Sequence, residues 1–192
     1  MRTDNLLPIL LVDVDGVCAD FVGSVLQCLD SKLTHEDITR FKFEELLSPD
    51  EKIRFENICA SPLFWAQLEP IKQMRTYLEK LSAEEIEIVY LTSPWLGCDK
   101  WHDTRRHWLL KHEFPQAENL IVTKLKHLVY GDYLIDDKPS NISEWIEFQS
   151  DLGGPARGFL LAQPWNQDCA DWDNRKDSSQ IFEWIYNGRI PS

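Results

Sequence analysis

Unbroken aliphatic runs alternate with stretches of helical period along most of this chain. Ile9 to Val12 is an apolar run of the kind found in strands buried on both faces. It gives way to a turn at Asp13-Val14-Asp15-Gly16, and an amphipathic helix is expected from about Ala19 to Leu29. From Ser31 to about Pro70 the pattern is one of short helices punctuated by Thr34, Ser48-Pro49 and Ser61-Pro62, with no strand signal. Alternation then sets in. Helices are expected over Ile71 to Leu81, Lys100 to His112, Ile142 to Phe148 and Ser179 to Tyr186. Between them come apolar strands at Ile86 to Leu91, Leu120 to Val122, Tyr133 to Ile135 and Gly158 to Ala162.

Buried-type strands alternating with helices predict an α/β fold, a doubly wound (Rossmann-like) parallel sheet covered on both sides. The strandless stretch reads as a small helical cap inserted after the first strand–helix unit. The expected division is a core of residues 1–32 and 71–192 with an insertion at 33–70.

Composition narrows the function. The 192 residues are 43% hydrophobic and carry a formal charge of −12, so the chain is globular and has no general attraction for nucleic-acid backbone or anionic membrane. Any phosphorylated ligand has to be met by local positive charge. Five cysteines form no CxxC pair and are odd in number, which points to free thiols. The run Leu6 to Val12, preceded by Asp4 and Asn5 and interrupted by Pro8, is neither a signal peptide nor a membrane span. A soluble, cytoplasmic protein is expected, with oligomeric state, homodimer included, left open.

In doubly wound sheets ligands sit outside the carboxyl ends of the strands. Three of the expected strand ends run into polar pairs: Asp13 with Asp15, Thr92 with Ser93, and Asp136 with Asp137. Lys124 and Lys126 follow the strand between the second and third. Taken singly, each is an ordinary turn or strand exit, since Asp and Gly suit turns. Together they place carboxylates, hydroxyls and lysines on one rim, a site for a hard cation and a phosphate.

These residues carry a resemblance. Val12-Asp13-Val14-Asp15-Gly16-Val17, Thr92-Ser93-Pro94, Lys126 and Ile135-Asp136-Asp137 resemble the four motifs of haloacid dehalogenase-like phosphohydrolases. Within them, residues 13–21, 91–95 and 134–139, with Phe64 to Pro70, are similar to the 5′(3′)-deoxyribonucleotidases. The resemblance implies Mg²⁺-dependent hydrolysis of a phosphomonoester through an aspartyl phosphate, with Asp13 as nucleophile and Asp15 as general acid and base. It further implies Mg²⁺ held by the Asp13 side chain, the Asp15 carbonyl and an acid of the last motif, with Thr92, Ser93 and Lys126 on the phosphate. Asp137 is preferred to Asp136 as that acid, because successive strand side chains face opposite ways; Asp136 then braces the site from behind. Lys124 competes with Lys126, whose six-residue spacing to Asp132 suits the family better.

Phe21 lies where the family sets an aromatic against the substrate. Phe41, Phe43, Phe64, Trp65 and Trp95 could add to a base-stacking slot, although aromatics at helical spacing equally fill cores. The five histidines form no metal-binding pair, and the cysteines suit small core positions. The reading is therefore a nucleotidase acting on pyrimidine deoxynucleoside monophosphates. Its rivals are a phosphatase of another small phosphomonoester and a non-catalytic Mg²⁺-binding receiver domain.

Overall fold

The computed structural model describes residues 7–153 and 157–188; Asp4, Asn5 and Leu6 lie outside the described residues. Six strands form one sheet in the order β3-β2-β1-β4-β5-β6: β1 Ile9–Val12, β2 Glu87–Thr92, β3 Leu120–Val122, β4 Tyr133–Asp136, β5 Arg157–Leu161 and β6 Arg175–Lys176. Every pairing is parallel. Register decides where the site lies. Val12 pairs with Tyr90 on one side and Ile135 on the other, so the three central strands end at nearly one level. The Asp13 amide donates to the Ile135 carbonyl at 2.9 Å and carries the pairing one residue past β1.

Side-chain alternation divides the core between the faces. Leu10, Val12, Tyr90, Tyr133 and Ile135 join a large cluster with residues of α1 Phe21–Leu29, α4 Lys72–Ala83, α5 Trp101–Lys111 and α7 Ser178–Asn187. Leu11, Leu91, Leu134 and Leu160 face the other way, onto Ile142 and Trp145 of α6 Pro139–Asp151.

Local chemistry sets the helix ends. Asp20 caps α1 by accepting the Gly23 amide at 2.9 Å. The inserted helix α2, Pro49–Ala60, opens on a capping box of Ser48 and Glu51 with Pro49 in its first turn. A short α3, Pro62–Ala66, and two 3₁₀ turns complete the insertion between α1 and α4. Its return is tied to its departure: the Asp20 amide donates to the Glu69 carbonyl at 2.8 Å and the Ile71 amide to the Cys18 carbonyl at 2.7 Å.

Two features depart from expectation. Helix α6 begins at Pro139, three residues early, because proline is suited to a first helical turn. The two-residue polar strand β6 was not anticipated, being too short to show a period. All five cysteines are free, and among the described residues no helix is long and apolar enough to cross a membrane. Leu134, fully buried in β4, gives a test of the core: Leu134→Ala is expected to cost about 2–5 kcal/mol, read in urea as a lower midpoint at unchanged slope.

Candidate active site

The loop after β1 brings the first two acids to the sheet edge. Asp13 is buried and its Oδ1 accepts the Val14 amide at 2.7 Å. Gly16 takes φ +83°, and a Cβ there would overlap the Asp137 carboxylate, so this turn requires glycine twice over. At the end of β2, Thr92 is buried whereas Ser93 is exposed, its hydroxyl 3.4 Å from the Thr123 carbonyl. Lys126 sits in a 3₁₀ turn before β4, with Nζ 2.8 Å from Asp13 Oδ1 and 2.7 Å from Asp136 Oδ2. Lys124 is exposed and borders a separate hollow with Trp95 and Leu96.

Asp136 is fully buried and fully engaged. Its Oδ2 accepts from Lys126 and from Asn141 Nδ2 at 2.9 Å, and its Oδ1 from the Lys138 amide. Asp137 Oδ2 accepts the indole N–H of Trp165 at 3.0 Å. Asp13, Asp136 and Asp137 each offer an oxygen within 4.8 Å of the others. This corrects the argument from strand alternation. Asp136 ends β4 and Asp137 lies beyond it, where side chains need no longer alternate, and both carboxylates lie on the side of Asp13.

The acids pay attention to burial before anything else. Burial raises Asp13 from the ordinary carboxylate range to about 6, against the pull of Lys126 and with the push of Asp136. Asp137 is raised well above that range by burial and by its two acidic neighbours. Burial draws the Lys126 ammonium down, but Asp13 and Asp136 outweigh it and hold the group above its usual range. Hard carboxylate oxygens close together form the donor set a divalent cation prefers.

Asp15, partly exposed, turns its carboxylate elsewhere, to Arg105 of α5. That guanidinium is wholly buried, enclosed by the Trp65, Trp101 and Trp108 rings with centroids 5.2–5.9 Å away. Burial lowers its pKa to about 9, opposed by Asp13.

Above the acids opens a cavity of about 300 Å³. Core residues Asp13, Asp15, Thr92, Ser93, Lys126 and Asp137 line its floor. The insertion supplies Phe41, Phe43, Phe55 and Trp65, and Phe21 and Trp95 complete the aromatic wall. Phe21 stacks on Trp65 at 5.4 Å and 8°. Phe43 and Trp65 are buried, whereas Phe41 is 45% exposed at the mouth with the Lys138 ammonium 5.2 Å from its ring centre. Phe64 packs edge-on behind Phe21 and Trp65 and is not part of the lining.

Sequence reasoning missed Arg105, Asn141, Trp165 and Asn166. Arg105 lay inside an ordinary amphipathic helix, and the last two in a tetrapeptide with no recognisable pattern. Asn141 had a signal, since the first turn of a Pro-started helix faces the strand end that precedes it.

A parallel sheet with three acids and a lysine gathered at its carboxyl edge defines a phosphomonoester hydrolase of the haloacid dehalogenase-like class. The fold agrees: a putative haloacid dehalogenase-like hydrolase from Burkholderia xenovorans superposes with a TM-score of 0.56 at 10% identity, covering 97% of this chain and 100% of that one. The model of the family described as 5′ nucleotidase, deoxy (pyrimidine), cytosolic type C protein matches residues 7–185, and the chain belongs to that family. Among similar proteins, the human cytosolic-type 5′(3′)-deoxyribonucleotidase is 29% identical over 141 residues, 67% of this chain and 70% of its own. A putative 5′(3′)-deoxyribonucleotidase from Bordetella pertussis is 30% identical over 140 residues, 68% and 74% of the two chains.

The raised Asp13 pKa has a testable sign. Its folded value, about 6, lies above its unfolded value near 3.8, so the folded state binds the proton more tightly and this group's contribution weakens as pH rises from about 4 to 6. In metal-free protein, Asp13→Asn should therefore gain in Tm relative to the parent between pH 4.5 and pH 7. An unchanged difference across that range contradicts the shift.

Proposed function

We propose that this chain is a Mg²⁺-dependent 5′(3′)-deoxyribonucleotidase that dephosphorylates pyrimidine deoxynucleoside monophosphates. The observation that carries the reading is the convergence of Asp13, Asp137 and Lys126 on the floor of an aromatic-walled cavity, with Asp136 buried beneath them. Residues 33–70 then serve as a cap on a core of residues 1–32 and 71–192. The Asp13 and Asp137 carboxylates and the Asp15 carbonyl would hold the ion. When bound, Mg²⁺ supplies positive charge against the phosphoryl oxygens.

The chain's own residues do the rest. The Asp13 carboxylate attacks phosphorus while the ester P–O bond breaks, and Asp15 gives its proton to the departing sugar oxygen. Asp15 then takes a proton from water, which attacks the same phosphorus and releases inorganic phosphate and the Asp13 carboxylate. Thr92, Ser93 and Lys126 take the phosphoryl oxygens, and Lys126 offsets charge that a monoester carries at about −1.5 to −2. Arg105 pairs with the Asp15 carboxylate, which has to leave that pair to carry a proton to the sugar oxygen.

Phe21 on Trp65 makes a flat surface suited to a pyrimidine. A ribose 2′-hydroxyl pressed on that wall loses its water without a partner, at about 1–3 kcal/mol. Apolar surfaces reject an added hydroxyl only modestly, so a deoxy-over-ribo preference of about 10- to 100-fold is expected.

Two measurements test the proposal. kcat/KM should rank dUMP and dTMP above UMP and dGMP, with Phe21→Ala narrowing the dUMP-to-UMP ratio; equal values for dUMP and UMP refute the deoxynucleotide assignment. Asp13→Asn and chelation should each silence turnover, and Lys126→Ala should lower kcat by orders of magnitude while Lys124→Ala has little effect. More than about a tenth of the activity left in Asp13→Asn, an effect under 1.4 kcal/mol, rules out covalent catalysis there.

A further inference from the structure

The segment Gln163-Pro164-Trp165-Asn166 follows β5 and has no part in the chemistry described so far. It nonetheless holds Asp137 at two points, its carboxylate and its carbonyl. The Trp165 indole donates to Oδ2 at 3.0 Å, and Asn166 Nδ2 donates to the Asp137 carbonyl at 2.9 Å and to the Leu161 carbonyl at 2.8 Å. Beside them stands Gly16, where a Cβ would overlap Oδ2 and lie 3.5 Å from the Trp165 ring. The carboxylate is thus closely packed by an indole and a bare backbone.

The grip is itself braced. Asn166 Oδ1 accepts the Gln163 amide at 3.0 Å and Arg175 Nε at 2.9 Å, which fixes the amide so that its nitrogen must face Asp137. Arg175 also reaches the Gln163 carbonyl at 3.2 Å. Gln163 Nε2 donates to the Gly16 carbonyl at 2.9 Å and ties the segment to the turn that carries Asp13 and Asp15. His35 of the insertion meets the Trp165 ring edge-on at 5.2 Å.

We propose that Trp165 is a positioning residue for the cation site: its indole N–H, with Asn166 behind it, fixes the rotation of the Asp137 carboxylate. An indole nitrogen only donates, so it holds one oxygen without competing as a ligand. Among the described residues no donor reaches the other oxygen, which remains for a cation. Partners of this kind orient a ligand in advance, and removing one typically weakens metal binding by about 10- to 100-fold. The inference rests on the proposed role of Asp137 as a ligand.

The test is Mg²⁺ and Mn²⁺ binding by calorimetry to the purified chain, with no substrate present. Three forms are compared with the parent: Trp165→Phe, a chain with 3-benzothienylalanine at 165, and Asp137→Asn. Benzothienylalanine keeps the ring shape and replaces N–H by sulfur, so it separates the hydrogen bond from packing even where Trp165→Phe fails to fold. Both replacements at 165 should raise the metal Kd about 10- to 100-fold, and the isostere should do so with the Tm of the metal-free chain nearly unchanged. Any deficit in kcat should shrink as Mg²⁺ is raised. A parental Kd in the isostere overturns the inference, provided that Asp137→Asn binds more weakly. A parental Kd in Asp137→Asn overturns the ligand role on which the inference rests.

Discussion

Everything at the carboxyl edge of this sheet depends on one buried ammonium between two buried carboxylates. Lys126 bridges Asp13 and Asp136 at 2.8 and 2.7 Å, and all three are buried. Removing one member of such a group leaves an uncompensated charge, at about 3–5 kcal/mol. One lysine cannot balance three acids, however. Burial pushes Asp13 and Asp137 upward despite it, so ionising all three acids together is costly where little water is available to share the charge. A second positive charge of high density relieves that tension, and a divalent cation with oxygen ligands meets the need. The residue that makes the site unfavourable to the empty protein also makes it selective for what should fill it.

The parallel register converts this local tension into a site. Because β1 is flanked by β2 and β4 at nearly equal heights, an acid one residue past β1, a threonine at the end of β2 and an acid pair at the end of β4 meet without any long loop. The insertion leaves and returns beside the same turn, through Asp20 to Glu69 and Ile71 to Cys18. Its aromatic residues therefore stand over the acids. Arg105 joins the two halves: it pairs with Asp15 below while its guanidinium lies among Trp65, Trp101 and Trp108. A change in how the aromatic wall packs is thus felt at the carboxylate two residues from Asp13.

The strands and helices were legible because each buried strand is an aliphatic run and each helix has its period. The acids were legible because they follow those runs at once. What could not be read was contact across long separations. Arg105 meets Asp15 from 90 positions away and Trp165 meets Asp137 from 28, and nothing in the local composition marks either pairing. The strand alternation that separated Asp136 from Asp137 is a rule for strand interiors, and these two residues straddle a strand end. The aromatic wall was half legible: the family resemblance flagged Phe21 and composition flagged Phe41, Phe43 and Trp65, but only the fold distinguishes them, as lining, from Phe64 behind it.

Charge shows how far this protein relies on its site and not on its field. At −12 the chain as a whole repels an anionic substrate. The cavity itself is nearly balanced, with Lys42, Lys126 and Lys138 against Asp13, Asp15, Glu44 and Asp137. A dianionic monoester gains nothing from entering such a pocket until a divalent cation tips the balance. Under the proposed function its other end is held by stacking, which is indifferent to charge. On that proposal recognition is divided: the aromatic wall takes the neutral portion of the ligand, and the acid cluster takes the charged one only in company with a cation. A small molecule that presents both ends together satisfies that division.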